Sequence, residues 1–325
     1  MRYYLDFEKQ LEPVERRIEE IKKFHDMSDP HYAKELVALE KRLPKLERDI
    51  YGNMTNWQRS QLSRHLNRPH TLDFIHHLCT DFVELHGDRK FMDDPAIVGG
   101  PARFDNLNVI VVGHQKGKDV RGMADRNFGM ANPEGYRKAM RLMELAQRWK
   151  KPLITFIDTP GAFPGVGAEE RGQAETIASS IYLMFTLLIP VVAIIIGEGG
   201  SGGALAIAVG DRILMLENAT YSVISPEGCA AILWKDASKG PLSAEARALA
   251  ADALKPTAQE LIKLKVIDAI VKEPFGGAHR SWEVTFENTR ALLTRHLKEL
   301  LEIPAEALRE KRYDKFRRMG VFEER

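Results

Sequence analysis

The chain carries 47 basic and 46 acidic residues among 325, with 44% hydrophobic and 29% charged side chains and a formal net charge of +1. That length accommodates one main core plus an appendage, and the balanced charge excludes a general pull toward nucleic acid or an anionic membrane surface. The mean hydropathy of -0.29 and the lack of any apolar run long enough to span a bilayer exclude a membrane helix.

The opening MRYYLDFEKQLEP has no apolar segment of the secretory kind, so a cytoplasmic address is expected. Leu11, Val14, Ile18 and Ile21 fall on one stripe and Leu36, Leu39, Leu43, Leu46 and Ile50 on another, at the three- and four-residue spacings of amphipathic helices. The turn chemistry of residues 26–30 between them predicts a helical hairpin without catalytic duty. Cys79 and Cys229 are the two cysteines, too few and too far apart for a disulfide framework or a zinc site, so no metal is expected in this chain.

Residues 96–104 and 109–113 read as a β-hairpin turning at Asp105-Asn106. Residues 133–149 form a helix with Pro133 in its first turn and Tyr136, Met140, Met143 and Ala146 on one stripe. Apolar strands at 153–157 and 191–196 are then followed by helices from Ala168 and from about Gly202. The longest apolar stretch, 189–196, is interrupted by Pro190 and suits a buried strand. This alternation predicts an α/β core. A short strand at 221–224 leads to a helix start at Ser225-Pro226, and residues 280–318 are two charged helices divided at Pro304.

Two glycine-rich segments follow buried strands, where ligands bind in open α/β sheets. The first runs from Asp158 through Gly161, Ala162, Phe163, Gly165 and Gly167; the second, residues 197–203, reads GEGGSGG and is expected to be a loop. Glycine lets backbone N–H groups converge on one spot, which favours an anion or a developing oxyanion. The DTPG string at 158–161 has no phosphate cradle upstream. Residues 199–203 satisfy G-x-S-x-G, making Ser201 a candidate nucleophile of a serine hydrolase, with Asp252 or Asp268 and His279 or His296 as nominal partners. Alternatively the backbone itself is the catalytic element.

Taken together, GHQKG (113–117), RNFGM (126–130), PEGYRKA (133–139), FIDTPGAFPGVGAEERGQ (156–173), IGEGGSGGALAI (196–207) and YSVISPEGCAAILWKD (221–236) resemble the carboxyltransferase alpha subunit of bacterial acetyl-CoA carboxylase. The likeness runs from about Leu72 to Gly277. It implies a crotonase-like fold, a superhelix of ββα units, here as a domain of residues 71–278 between a helical arm (1–70) and C-terminal helices (279–325). It further implies transfer of a carboxyl group from carboxybiotin on a biotin carboxyl carrier protein to acetyl-CoA, giving malonyl-CoA for fatty acid synthesis. The active site then lies between this chain and a zinc-ribbon beta subunit in an alpha-two beta-two core, with biotin carboxylase as a separate chain.

In that chemistry negative charge grows on the ureido oxygen of biotin, and two backbone donors there supply roughly 3 to 4 kcal/mol each. By motif position these are the N–H groups of Gly202 and Gly203. Gly161, Ala162, Phe163, Gly165 and Gly167 are expected to shape the biotin channel, together with Gly199, Gly200 and Ser201. Arg126 is a candidate for a phosphate or carboxylate, and Lys116 and Lys118 for the 3′-phosphate of CoA. His114 reads as a satisfied core histidine, and Glu169, Glu170 and Arg171 as helix-start charges.

Overall fold

The computed structural model describes residues 3–26, 28–234 and 243–320; Lys235 and Asp236 of the last motif, and residues 321–325, lie outside them. Eight strands build one mixed sheet: β1 Cys79–Thr80, β2 Ile97–Phe104, β3 Leu107–His114, β4 Leu153–Thr159, β5 Val191–Gly200, β6 Arg212–Leu216, β7 Thr220–Ser222 and β8 Ala269–Val271. Their order is β1-β2-β3-β4-β5-β6-β8, with β7 beside the end of β5. β1, β2 and β3 pair antiparallel, and from β3 onward every pairing is parallel.

The hairpin β2–β3 turns at Asp105, whose φ of 49° is left-handed. β4 is buried along its whole length, as are residues 109–112 of β3 and 191–196 of β5. A parallel strand needs this, because crossover helices cover both faces. The helix Pro133–Trp149 has the expected bounds, but its fully buried apolar stripe is Tyr136, Ala139, Leu142, Met143 and Ala146, and Met140 sits at the margin. The helix expected from Ala168 is two, Val166–Glu170 and Gln173–Thr186, divided at Gly172 with φ 85°. Among the described residues no helix is long and apolar enough to cross a membrane.

The helical hairpin forms as Glu12–Phe24 and Pro30–Tyr51, with Val14, Ile18, Ile21 and Leu36 making a small core of their own. Arg280 ties it to the body through ion pairs to Glu15 and Glu47. The C-terminal helices, Trp282–Leu301 and Ala305–Arg317, are anchored by the fully buried Arg312. Its guanidinium pairs with Asp211 and donates to the carbonyls of Met184, Leu187 and Ile189.

Glu8, His65 and His279 bring one ligand atom each within 4.8 Å of one another. Both nitrogens of His65 are engaged, Nδ1 accepting from the Asn67 N–H and Nε2 meeting the Tyr3 carbonyl, each at 3.1 Å, and the ring stacks on His279. This is a packing contact for the arm. Burial, aided by the His279 charge, pulls the His65 imidazole down to about 4, from about 6.5 in the unfolded chain. The stability it adds is whole above pH 6.5 and lost as the pH falls toward 4, on the order of 3 kcal/mol. Urea unfolding at pH 7.5 and 4.5 should show that slope, and His65→Gln should flatten it; an equal slope in the variant would contradict the assignment.

Candidate active site at the ends of the central strands

Between β4 and β5 the register steps from Ile157↔Ile195 to Thr159↔Gly199, so β5 spends four residues where β4 spends two. Such a bulge leaves ladder groups unpaired, and here side chains take them. Arg68 donates to the Ile196 carbonyl at 2.9 Å, and the Glu198 N–H donates to Asp158 Oδ1 at 3.1 Å. Gly197 is required between them, because a Cβ there would stand 2.4 Å from Asp158 Oδ1.

Asp158 begins a chain of paired charges. Its carboxylate meets Lys116 Nζ at 2.8 Å and His70 Nδ1 at 3.2 Å. Lys116 also reaches Glu198 at 2.7 Å, Glu198 pairs with Arg64 at 2.7 Å, and Arg64 pairs with Glu227 at 2.5 Å. Burial raises the Asp158 carboxyl, but the Lys116 ammonium and the His70 imidazole outweigh it and hold the group well below the usual carboxylate range. With Leu66, Met123, Phe128 and Pro160, the side chains of Arg64, His70, Lys116, Asp158 and Glu198 line a cavity of about 170 Å³. Phe128 is held over it by consecutive left-handed residues, Asn127 (φ 47°), Phe128 (φ 57°) and Gly129 (φ 84°), which is the structural content of the RNFGM motif.

The second glycine segment is not a loop in its first half. β5 runs through Gly200, and Glu198, Gly199 and Gly200 pair with Thr220, Tyr221 and Ser222 of β7. The reason is steric: a Cβ on Gly199 would meet the Tyr221 ring at 2.7 Å, and one on Gly200 the Pro160 carbonyl at 2.1 Å. The chain then turns at Ser201, whose φ of 53° is left-handed, into the short helix Ser201–Leu205. The first N–H groups of a helix have no intrahelical acceptor, and those of Gly202 and Gly203 donate to no other backbone group among the described residues. Gly203 presses on the first glycine segment, where a Cβ would lie 2.5 Å from Ala162 N and from the Gly161 carbonyl carbon; Gly202 has ordinary contacts at 3.6 Å.

The two segments are thus brought together, and Ser201 joins Leu205, Tyr221, Val223, Phe316 and Met319 around an apolar pocket of about 370 Å³. The other expected residues make these contacts within the chain. The N–H of Gly161 goes to Thr159 Oγ1 and that of Phe163 to the Ala131 carbonyl. Gly165 makes room for the Phe163 ring and Gly167 for Arg171. Arg126 donates to the Pro95 carbonyl at 2.6 Å and does not line the cavity. Lys118 pairs with Asp73, its ammonium over the Trp282 ring, and Lys116, 13% exposed at the side chain, is a partly buried bridge between Asp158 and Glu198.

Among the described residues no hydrolase triad assembles. Asp252 accepts from Asn56 and Asp268 pairs with Lys315, while His279 stacks on His65 and His296 contacts Glu299. Arg64, Arg68 and His70 escaped sequence reasoning because they sit in no glycine motif. A signal was present in Asp158 and Glu198, charges at the ends of otherwise apolar strands.

A family model described as acetyl co-enzyme A carboxylase carboxyltransferase-like matches residues 4–320. The chain is 56% identical over 322 residues to the acetyl-coenzyme A carboxylase carboxyl transferase subunit alpha of Geobacter metallireducens, covering 99% of each chain. It is 55% identical to the subunit of the same name from Thermus thermophilus, covering 98% of this chain and 99% of that one. Among solved structures, transcarboxylase 12S aligns with a TM-score of 0.57 at 20% identity, over 70% of this chain and 40% of that one. A Pseudomonas malonate decarboxylase hetero-dimer aligns at 0.52 and 17%, over 69% and 90%. These structures share the fold, which is the crotonase-like α/β class expected from the motifs. With its full length matched at such identity, the chain belongs to the family of acetyl-CoA carboxylase carboxyltransferase alpha subunits.

Proposed function

We propose that the chain supplies the biotin half of a carboxyltransferase active site, working with a zinc-ribbon beta subunit that holds the CoA thioester. The assembled enzyme transfers a carboxyl group to acetyl-CoA to form malonyl-CoA, in the cytoplasm, and is served by a biotin carboxyl carrier protein and biotin carboxylase. When bound, carboxybiotin supplies the carboxyl group and a ureido oxygen on which negative charge grows. The chain's own part is to meet that oxygen with the N–H groups of Gly202 and Gly203, preorganised donors worth roughly 3 to 4 kcal/mol each.

The observation that carries this reading is that the N–H groups of Gly202 and Gly203 donate to no other backbone group among the described residues and directly follow Ser201, which lines an apolar pocket of about 370 Å³. Such a pair suits a ligand that presents a ureido oxygen on a ring fused to an apolar sulfur ring. The first glycine segment backs the turn, as Gly161 and Ala162 abut Gly203, and its own N–H groups at Gly161 and Phe163 are engaged elsewhere. We also assign the arm (1–70), body (71–278) and C-terminal helices (279–325) as the functional division of the chain.

The test is to mix the purified chain with its beta subunit and measure malonyl-CoA-dependent carboxylation of free biotin. Turnover is expected from the mixture and from neither chain alone. Loss of a nucleophile costs on the order of a millionfold, whereas Ser201→Ala should cost less than about tenfold. A fluorophosphonate should leave Ser201 unlabelled; stoichiometric labelling with loss of activity would restore the hydrolase reading.

A further inference from the structure

Beneath the turn lie two polar side chains that packing alone does not require. His114, ending β3, and Tyr136, in the helix Pro133–Trp149, are both fully buried. Neither ring nitrogen of His114 nor the Tyr136 hydroxyl has a hydrogen-bond partner among the described residues. The rings meet edge to face with centroids 6.3 Å apart. Tyr136 Oη stands 2.8 Å from where a Cβ on Gly203 would be, and the backbone of Gly203 and of Phe156 lies against the His114 ring.

An unpaired buried polar group loses its hydration without gaining a partner, and phenylalanine at position 136 would fill the same volume without that cost. A native core keeps few such groups, and each calls for a reason. Here both adjoin Gly203, whose N–H is one of the two proposed donors.

We propose that Tyr136, supported by His114, is a positioning residue for the turn: its hydroxyl dipole orients the backbone at Gly203 so that the N–H already faces the growing charge. This rests on the reading of Gly202 and Gly203 as oxyanion donors. Burial lowers His114 to about 4 and raises the Tyr136 phenol beyond its ordinary range. Both are therefore neutral at assay pH, and the role is dipolar without proton transfer.

The experiment uses Tyr136→Phe in the complex of the chain with its beta subunit. We expect kcat to fall about tenfold, less than the loss of a direct donor, with KM for malonyl-CoA and for free biotin unchanged. Thermal stability should stay equal or rise, since the change removes an unpaired hydroxyl, and the pH profile should run parallel to wild type. Unchanged kcat, or a loss explained by a lower Tm, overturns the proposal; a displaced pH limb replaces positioning with proton transfer and overturns it too. Gly203→Pro separates the two readings. If it is inactive while Tyr136→Phe is wild type, the turn stands and the positioning role falls. If Gly203→Pro is active, the turn reading falls and the proposal with it.

Discussion

Gly203→Pro is expected to reduce kcat of the assembled carboxyltransferase by roughly a hundred- to a thousandfold, the cost of removing the oxyanion donor proposed at that position. The substitution deletes the N–H and inserts atoms where a Cβ would already stand 2.5 Å from Ala162 N. Because the turn itself can be distorted, Gly202→Ala is the control. It keeps its N–H and meets only the Ile177 methyls at 3.6 Å, so it should fold with an unchanged Tm. Steady-state rates in the malonyl-CoA-dependent assay decide the matter, and near-wild-type turnover of Gly203→Pro would remove the turn from the mechanism.

Lys116→Met is expected to destabilise the chain by about 3 to 5 kcal/mol at pH 7, the range for removing one partner of a buried ion pair. Asp158 and Glu198 are 4% and 12% exposed at the side chain, so water cannot replace the lost ammonium. The deficit should shrink on acidification. In the wild type, the depressed Asp158 carboxyl contributes stability that is present above about pH 4 and lost as pH falls through its folded-state value. Without Lys116 that carboxyl titrates at a higher pH, and protonation relieves the uncompensated charge. Urea unfolding of both forms at pH 5 and 7.5 measures this. In the assembled enzyme kcat should fall while KM for malonyl-CoA holds. A raised KM with strong salt dependence would instead make Lys116 a phosphate ligand.

Much of the frame was legible from local pattern. The continuous apolar runs of β3, β4 and β5 and the stripe of Pro133–Trp149 reflect period and side-chain character, which a strand or helix expresses wherever it lies. Glycine content likewise marked the two segments where backbones approach closely, and the contacts at Gly200 and Gly203 give the reason. The charge cluster was not legible in this way. Lys116 looks like a surface lysine in GHQKG and becomes a partly buried bridge only when β4 and β5 stand beside β3.

By itself, then, the sequence determined the α/β class, the hairpin arm and the two glycine segments, because each depends on residue type at short spacing, and its six long motifs carried the resemblance to the family. Tertiary structure alone decided that β5 extends through Gly200, that its bulge is closed by Arg68 and Asp158, and that Tyr136 lies under Gly203. Those partners are far apart along the chain, 128 positions from Arg68 to Ile196 and 40 from Asp158 to Glu198. No local periodicity records such pairings, since they arise when buried polar groups must find acceptors and counter-charges across the sheet.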